Sequence, residues 1–133
     1  MDPRKQAVAA ACLKGAEENT LSFPTIVGML MEEGFESYAI DFRRARAAYY
    51  FPDGGNFELP MHMLDVPVAA AFDAARLGEA IREAQQQVPD YSYKGFCAKA
   101  AAAGCAFYVV SFSGRCALYV GRTAETHVER FPD

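Results

Sequence analysis

Cys97 and His127 are the residues whose types most directly suggest chemistry. A thiolate nucleophile needs a base such as histidine, and the chain has only one other histidine, His62. Catalytic cysteines usually lie where they are exposed and surrounded by positive charge. Cys97 instead lies with Phe96 and Ala100 at the inner spacing of an alanine-rich helix. The pattern favours a packed thiol, so we assign no catalytic residue, and it weighs against an enzyme.

The cysteines as a group indicate neither a metal site nor a disulfide framework. A structural zinc site needs ligands in closely spaced pairs, and no two cysteines form a CxxC pair. The four cysteines are Cys12, Cys97, Cys105 and Cys116. The opening segment 1–13 lacks the long apolar core of a secretory signal. We therefore expect reduced, structural thiols in the cytoplasm, with no metal and no cofactor.

The acidic and basic residues give weaker signals. Asp53 lies in a Pro-Asp-Gly-Gly turn, where aspartate is favoured because it bonds its own backbone. Asp41 is expected to pair with Arg46, and nothing in the pattern indicates a second carboxylate sharing a cleft. Arg43, Arg44 and Arg46 form a basic cluster beside tyrosines, an arrangement that could stack single-stranded bases. The chain lacks an RNA-recognition motif and carries a net charge of −4, so we expect a solvated loop and no nucleic-acid partner.

Length and composition indicate one folded domain over residues 1–133. Hydrophobic residues make up 52% of the chain and charged residues 23%, which are ordinary values for a globular protein. No apolar run approaches the roughly 20 residues that span a bilayer, so we expect no membrane partner.

Capping residues predict four helices. A short polar residue precedes each apolar, helically spaced run, and a glycine or proline follows three of the four runs. The predicted helices extend from Asp2 towards Glu17, from Ser22 to Gly34, from Asp73 to before Pro89, and from Ser92 to Gly104.

Alternating and β-branched runs predict six strands, at 35–42, 47–51, 56–59, 105–112, 116–120 and 127–131. Ser113-Gly114 is compatible with a two-residue hairpin turn, whereas Arg43-Arg44 is poor turn chemistry and predicts a longer loop. The resulting register predicts three cross-strand pairs: Tyr38 with Tyr49, Asp41 with Arg46, and Tyr108 with Tyr119.

The two halves of the sequence match at a shift of 70 residues. The matches fall at a helix cap, a helix stop and paired strand positions: Ser22/Ser92, Gly34/Gly104, Tyr38/Tyr108, Phe42/Phe112, Ala47/Ala117 and Tyr49/Tyr119. A slip of one residue then aligns Phe57-Glu58 with Val128-Glu129. We therefore predict an α+β fold, an antiparallel sheet with packed helices, built as a tandem α-α-β-β-β pseudo-repeat over about 2–62 and 72–132.

The two predicted hairpins differ on the face away from Tyr38. In the first hairpin that face carries Asp41 and Arg46, which indicates contact with water. In the second hairpin it is apolar as well, with Phe107, Val109, Leu118 and Val120. A strand that is apolar on both faces is usually covered on both, so this hairpin lies at the sheet centre or meets a partner chain. We favour the sheet centre.

Several motifs resemble a known family. They are Thr20-Leu21-Ser22-Phe23-Pro24, Tyr38-x-x-Asp41-Phe42, Tyr49-Tyr50 before Asp53-Gly54-Gly55, and the closing segments Tyr119-Val120-Gly121-Arg122 and 125–132. The chain is similar to the uncharacterised YdfO/YbcV-like family of bacterial and prophage proteins, some of which carry the label "phage envelope protein". The resemblance covers nearly the whole chain. It implies a compact α+β domain and a prophage association, and it implies no reaction and no catalytic residues.

Two functions follow as expectations. The first is a protein that acts by binding another protein, or itself as a homodimer. The alternative is a small-molecule binder or small enzyme with its site in a cleft between the repeats. The residues expected to line that cleft are Tyr38, Asp41, Arg46, Tyr50 and His127. The sequence leaves open whether the two repeats share one sheet.

Overall fold

The computed structural model describes residues 2–131, which form four helices and six strands. The elements of the first half are α1 (Pro3–Glu17), α2 (Phe23–Glu32), β1 (Ser37–Asp41), β2 (Arg46–Tyr50) and β3 (Asn56–Pro60). Those of the second half are α3 (Ala74–Gln86), α4 (Tyr93–Ala102), β4 (Cys105–Ser111), β5 (Cys116–Gly121) and β6 (Thr126–Arg130). The order α-α-β-β-β occurs twice, as predicted. Residue 132, the expected end of the second repeat, lies outside the described residues.

The predicted capping residues begin all four helices. In each case a side-chain oxygen of the residue before the helix accepts a hydrogen bond from a backbone N–H in the first turn, which satisfies a group that the helix itself leaves unpaired. The donors and acceptors are Arg4 to Asp2, Thr25 to Ser22, Arg76 to Asp73 and Gly95 to Ser92, at 2.9 to 3.3 Å.

All six strands lie in one antiparallel sheet in the order β3-β2-β1-β4-β5-β6. The two halves therefore share a sheet, joined by the β1–β4 pair at its centre. Two backbone hydrogen bonds of 3.0 Å close the ends of this pair, from Phe42 N–H to the Ala106 carbonyl and from Phe112 N–H to the Glu36 carbonyl. The fold is α+β, and this prediction is confirmed.

A pseudo-twofold axis passes between Ala39 and Val109. These two residues face each other across β1 and β4, and their numbers differ by the repeat shift of 70. Tyr38 pairs with Val110 on one side of the axis, and Ile40 pairs with Tyr108 on the other. The repeat shift of 70 converts the first pair into the second, because Tyr38 is equivalent to Tyr108 and Val110 is equivalent to Ile40. The halves are therefore related as the two subunits of a symmetric dimer would be.

The shift of 70 persists to the end of the described chain. Left-handed backbone conformations recur at Gly34 and Gly104, at Ala45 and Arg115, and at Gly54 and Ala124. Phe57 lies opposite Tyr49 as His127 lies opposite Tyr119. The expected one-residue slip before the last strand is therefore wrong. The loops 51–55 and 121–125 have the same length and equivalent backbone hydrogen bonds, which leave no room for it.

The hairpin registers are as predicted, and so is the first hairpin loop, but the second loop is not. Tyr38 faces Tyr49, Tyr108 faces Tyr119, and Asp41 faces Arg46. Both loops contain four residues, 42–45 and 112–115, and end on a left-handed residue. The loop at Arg43-Arg44 is therefore longer than a two-residue turn, as predicted, whereas the predicted two-residue turn at Ser113-Gly114 is wrong.

A side chain before each loop explains this shared geometry. The Asp41 Oδ1 accepts hydrogen bonds from the backbone N–H groups of Arg43 and Arg44, at 3.0 and 3.1 Å. At the equivalent position of the second half, the Ser111 Oγ accepts from the Gly114 N–H at 2.9 Å. Asp41 therefore organises its own turn, and among the described residues it forms no ion pair with Arg46.

The helices cover one face of the sheet and leave the other face open. Strand residues on the covered face are buried together with helix residues in one core. The residues of the open face are half-buried or exposed, including the apolar Phe107, Val109, Leu118 and Val120. β4 does lie at the sheet centre, as favoured, but the expected second layer over this hairpin is not present in residues 2–131.

The two halves differ at one end of the core. The first half fills this end with three mutually contacting phenylalanines, Phe35, Phe51 and Phe57. The equivalent positions of the second half hold Cys105, Gly121 and His127. Phe72, from the segment that connects the halves, takes up part of the space, since a Cβ on Gly121 would lie 2.6 Å from its ring.

Gly104 allows the connecting segment to approach the end of α4. Its φ is +96°, and a Cβ there would collide with the Ala71 carbonyl oxygen. The nearby hydrogen bond from Asp73 N–H to the Ala103 carbonyl is 2.7 Å long. This position requires glycine both for its conformation and for the close backbone contact.

We expect Gly104→Ala to destabilise the protein far more than Gly54→Ala. Gly54 is the matched control, because its φ is +92° but nothing lies within 4 Å of the position that a Cβ would take. The control should cost about 1 kcal/mol for the left-handed conformation alone. Gly104→Ala should cost about 1–3 kcal/mol more for the backbone clash, as measured by urea unfolding. Equal losses in the two variants would contradict this account.

Candidate functional site

A cavity lies between the helix layer and the covered face of the sheet, and both halves of the chain line it. The space open to the centre of a water molecule is about 60 Å³, well above the roughly 10–15 Å³ that one water needs on this measure. Six of the seven tyrosines line it: Tyr38, Tyr49, Tyr91, Tyr93, Tyr108 and Tyr119. The seventh, Tyr50, is exposed on the open face.

Four of these tyrosines form a continuous row across the sheet. Tyr38 and Tyr49 are stacked with ring centroids 5.9 Å apart, and Tyr108 and Tyr119 lie 5.1 Å apart. Tyr38 and Tyr108 join the two pairs across the central strands at 6.5 Å. The row follows from the repeat, because each half places one tyrosine on each strand of its hairpin, and strand alternation directs all four to the covered face.

Some of these tyrosine hydroxyls have hydrogen-bond partners within the protein and others do not. The Tyr93 and Tyr108 hydroxyls are 2.9 Å apart and hydrogen-bonded. Tyr38, Tyr49 and Tyr119 are only 6%, 3% and 5% exposed, and none of their hydroxyls has a hydrogen-bond partner among residues 2–131. Within residues 2–131, every side-chain oxygen that is fully buried has a hydrogen-bond partner. These three hydroxyls therefore border the cavity.

Burial keeps the cavity tyrosines protonated. Loss of solvation raises the pKa of Tyr91 to about 12 and raises the pKa of Tyr49 and Tyr119 further still. The pKa of Tyr38, Tyr93 and Tyr108 is also well above the ordinary value, for the same reason. At neutral pH the cavity therefore presents neutral phenols, which both donate and accept hydrogen bonds.

Glu129 provides a carboxylate on the wall of the cavity. It lies on β6, its side chain is 26% exposed, and its Oε2 is 3.1 Å from His127 Nε2. Because an ionised carboxylate only accepts hydrogen bonds, the ring hydrogen lies on Nε2. The equivalent residues of the first half are Leu59 and Phe57, so the polar pair occurs on one side of the pseudo-twofold axis.

The residues predicted to line a cleft do not come together. Tyr38 lines the cavity, and His127 lies beside two of its lining residues, Tyr119 and Glu129. Asp41, Arg46 and Tyr50 lie on the opposite, open face of the sheet. The reason is the two-residue period of a strand: Asp41 and Tyr38 are an odd number of residues apart, and Tyr50 directly follows the inward-facing Tyr49.

Cys97 and His127 do not form a nucleophile–base pair. The Cys97 thiol is influenced by the neighbouring Tyr93, and the hydrogen-bond partner of His127 is Glu129. Burial raises the pKa of Cys97 and of Cys105 to about 12, so both thiols are protonated at neutral pH. No cluster of three or more His, Cys, Asp or Glu side chains placed to hold a metal ion occurs in the described chain.

The other predicted polar features have structural roles. The Asp53 Oδ1 accepts a hydrogen bond from the Gly55 N–H at 2.8 Å, which confirms the expected turn. Within the basic cluster, an exposed ion pair of 3.3 Å joins Arg44 to Glu58 on β3. An exposed pair of this kind contributes little to stability.

Sequence reasoning recognised the strand tyrosines as cross-strand pairs but did not recognise that they share a cavity with Tyr91 and Tyr93. It also missed Glu129. A signal was available, because β6 places His127 and Glu129 at inward positions where β3 places Phe57 and Leu59. A carboxylate at an inward strand position is unusual and often marks a site.

No protein-family model matches this chain, and no curated protein matches it. The resemblance described above therefore remains an expectation. No helix in residues 2–131 is both long and apolar enough to cross a bilayer.

We expect the cavity tyrosines to resist titration until the protein unfolds. Their folded pKa is above the unfolded value of about 10, so stability is full below pH 10 and falls as pH rises towards the folded values. Phenolate absorbance at 295 nm should therefore rise cooperatively above pH 10, together with loss of the far-ultraviolet circular dichroism signal. The variant Tyr50→Phe should leave this step in place. Titration of all the tyrosines before unfolding would contradict the effect of burial on their pKa.

Proposed function

We propose that the protein binds a small organic ligand in the cavity between its helices and its sheet. The observation that supports this most strongly is the set of three unpartnered hydroxyls on Tyr38, Tyr49 and Tyr119. Because these hydroxyls border the cavity and are not sealed, they can form hydrogen bonds to a molecule within it. An apolar cavity with a few converging polar groups is the usual form of a small-molecule site.

The chemistry of the lining favours binding over catalysis. A general base must be deprotonated at working pH, and the raised pKa of the cavity tyrosines keeps them neutral. A nucleophilic cysteine needs a thiolate, and the pKa of Cys97 is about 12. The phenols instead offer aromatic faces and neutral hydrogen bonds, which suit recognition of an apolar body that carries a polar group.

We also propose a cytoplasmic, prophage-associated setting. The unpaired state of all four cysteines is consistent with a reducing compartment. The prophage association comes from the sequence resemblance alone. Genes adjacent to the coding sequence would test this association, because phage genes should surround it.

Self-association through the open sheet face is a second candidate function. One row of facing residues crosses this face from β2 to β6 and is apolar throughout: Ala48, Ala39, Val109, Leu118 and Val128. Val128 is 47% exposed. Contiguous apolar surface on a sheet often marks an interface. A second copy suits this surface because the neighbouring Asp41 and Arg46 provide both signs of charge for a self-complementary contact.

The size of the open face predicts weak association. Six strands spaced about 4.8 Å apart, with five to seven residues each that rise about 3.4 Å per residue, span on the order of 25 by 20 Å. Two such faces together would bury about 1,000 Å², at the low end for specific interfaces. The dimer should therefore form only at high protein concentration.

For the ligand site, we expect wild-type protein to bind 3,3-dimethylbutan-1-ol, a compact neutral probe with one hydroxyl. Affinity should be on the order of millimolar for so few atoms, as detected by saturation-transfer NMR. Ala84→Leu should abolish the signal, because Ala84 lines the cavity and the larger side chain fills it. Ala98→Leu is the control, since Ala98 is a half-buried helical alanine outside the lining. No binding to the wild type, or equal binding to both variants, would contradict the proposal.

For self-association, we expect the weight-average mass from light scattering to rise with concentration. Leu118→Glu should keep the chain monomeric by placing a charge in the apolar row. Val66→Glu is the control, because it adds the same charge at an exposed site off the sheet. A wild-type protein that stays monomeric at millimolar concentration would refute this second function.

A further inference from the structure

We propose that the ligand of this cavity is a small organic cation, whose ammonium group lies against the tyrosine rings and near Glu129. The inference depends on the proposed function, because it specifies the charge of a ligand that must first bind there. It follows from the kinds of groups that line the cavity and from those that are missing.

The aromatic lining is suited to a cation. The face of an aromatic ring carries partial negative charge and attracts a cation within about 6 Å of its centroid. Beyond the row of four tyrosines, Phe96 has its ring centroid 6.2 Å from those of both Tyr93 and Tyr108. Rings at this spacing touch one another, so they present a continuous aromatic surface to the cavity. A compact alkylated ammonium group that lies on this surface contacts more than one ring.

The charged side chain that lines the cavity is a carboxylate. Glu129 is the charged side chain of the lining, which contains no lysine, arginine or histidine among the described residues. Burial is the main cause of the raised pKa of Tyr49 and of Tyr119, and a carboxylate adds a smaller effect in each case, Glu17 for Tyr49 and Glu129 for Tyr119. Each carboxylate also has a histidine beside it, His62 and His127 respectively. In a poorly solvated space this arrangement stabilises a cation and disfavours an anion.

The neutral partners complete the site. The unpartnered hydroxyl oxygens of Tyr38, Tyr49 and Tyr119 can accept hydrogen bonds from a protonated amine or from a hydroxyl of the ligand. His127 Nε2 lies 3.1 Å from Glu129 Oε2, and this contact helps to hold the carboxylate in place. Because the equivalent of Glu129 in the first half is Leu59, the cationic end of the ligand should lie towards β6.

Three probes of similar shape test this inference. Choline carries a trimethylammonium group, 3,3-dimethylbutan-1-ol replaces it with a neutral tert-butyl group, and 3,3-dimethylbutanoate is an anion with the same bulky end. We expect choline to bind at least about tenfold more tightly than the neutral alcohol, and the anion to show no binding. Affinities are measured by NMR titration of the wild-type protein.

Glu129→Gln isolates the contribution of the carboxylate. This variant should lose most of the preference for choline, while its affinity for the neutral alcohol stays within about twofold of the wild type, which also shows that the cavity is intact. Glu125→Gln is the control, because it removes the same charge from an exposed site outside the cavity. It should retain the full preference.

The outcomes separate this inference from the proposed function. If the neutral alcohol binds and choline binds no better, ligand binding stands and the cation inference is overturned. The cation inference also fails if Glu129→Gln keeps the full preference, or if it loses both probes equally. If none of the probes binds the wild type, the proposed function fails as well.

Discussion

The antiparallel pairing of β1 with β4 is the interaction on which the rest of the molecule depends. Each half has three strands and two helices in about 60 residues, a size at which a chain buries only about 60% of its unfolded surface. Alone, each half would leave the edge of its first strand unpaired. The central pair satisfies both edges at once and brings both helix pairs onto the same face. The cavity exists because of this pairing, since its walls come from both halves.

The pseudo-twofold axis explains why so many tyrosines meet in one place. Any inward residue near Ala39 has a symmetry mate near Val109, so two tyrosines per half become four in the assembled sheet. Burial of so many hydroxyls is costly unless they find partners. Tyr93 and Tyr108 partner each other, and the remaining hydroxyls open into the cavity. The same symmetry that builds the core therefore also places tyrosine hydroxyls along the wall of the cavity.

Much of the fold could be predicted from local signals. Capping residues predicted the helix starts, and a turn centred on Ser113-Gly114, with the same offset in the first hairpin, predicted both hairpin registers. The conformation of the hairpin loops could not be predicted from these signals. It depends on the side chains of Asp41 and Ser111, which accept backbone hydrogen bonds. The candidate site was harder still. Its residues are far apart in sequence, and only the β1–β4 register shows that Tyr49 and Tyr119 share a space. The sequence indicated Asp41, Arg46 and Tyr50 because their polar and aromatic side chains suit a binding site. They lie on the open face of the sheet, away from the cavity.

The segment 61–73, which connects the two halves, is hydrogen-bonded to both of them. Its first residues bond to α1, where His62 N–H donates to Glu17, and its last bond to the end of α4, where Asp73 N–H donates to the Ala103 carbonyl. A flexible tether of this length would give the halves an effective concentration in the millimolar range. A tether that is itself docked on both halves restricts their relative orientation as well. The two halves therefore associate within one chain and in a restricted orientation. The rate of this step does not depend on protein concentration.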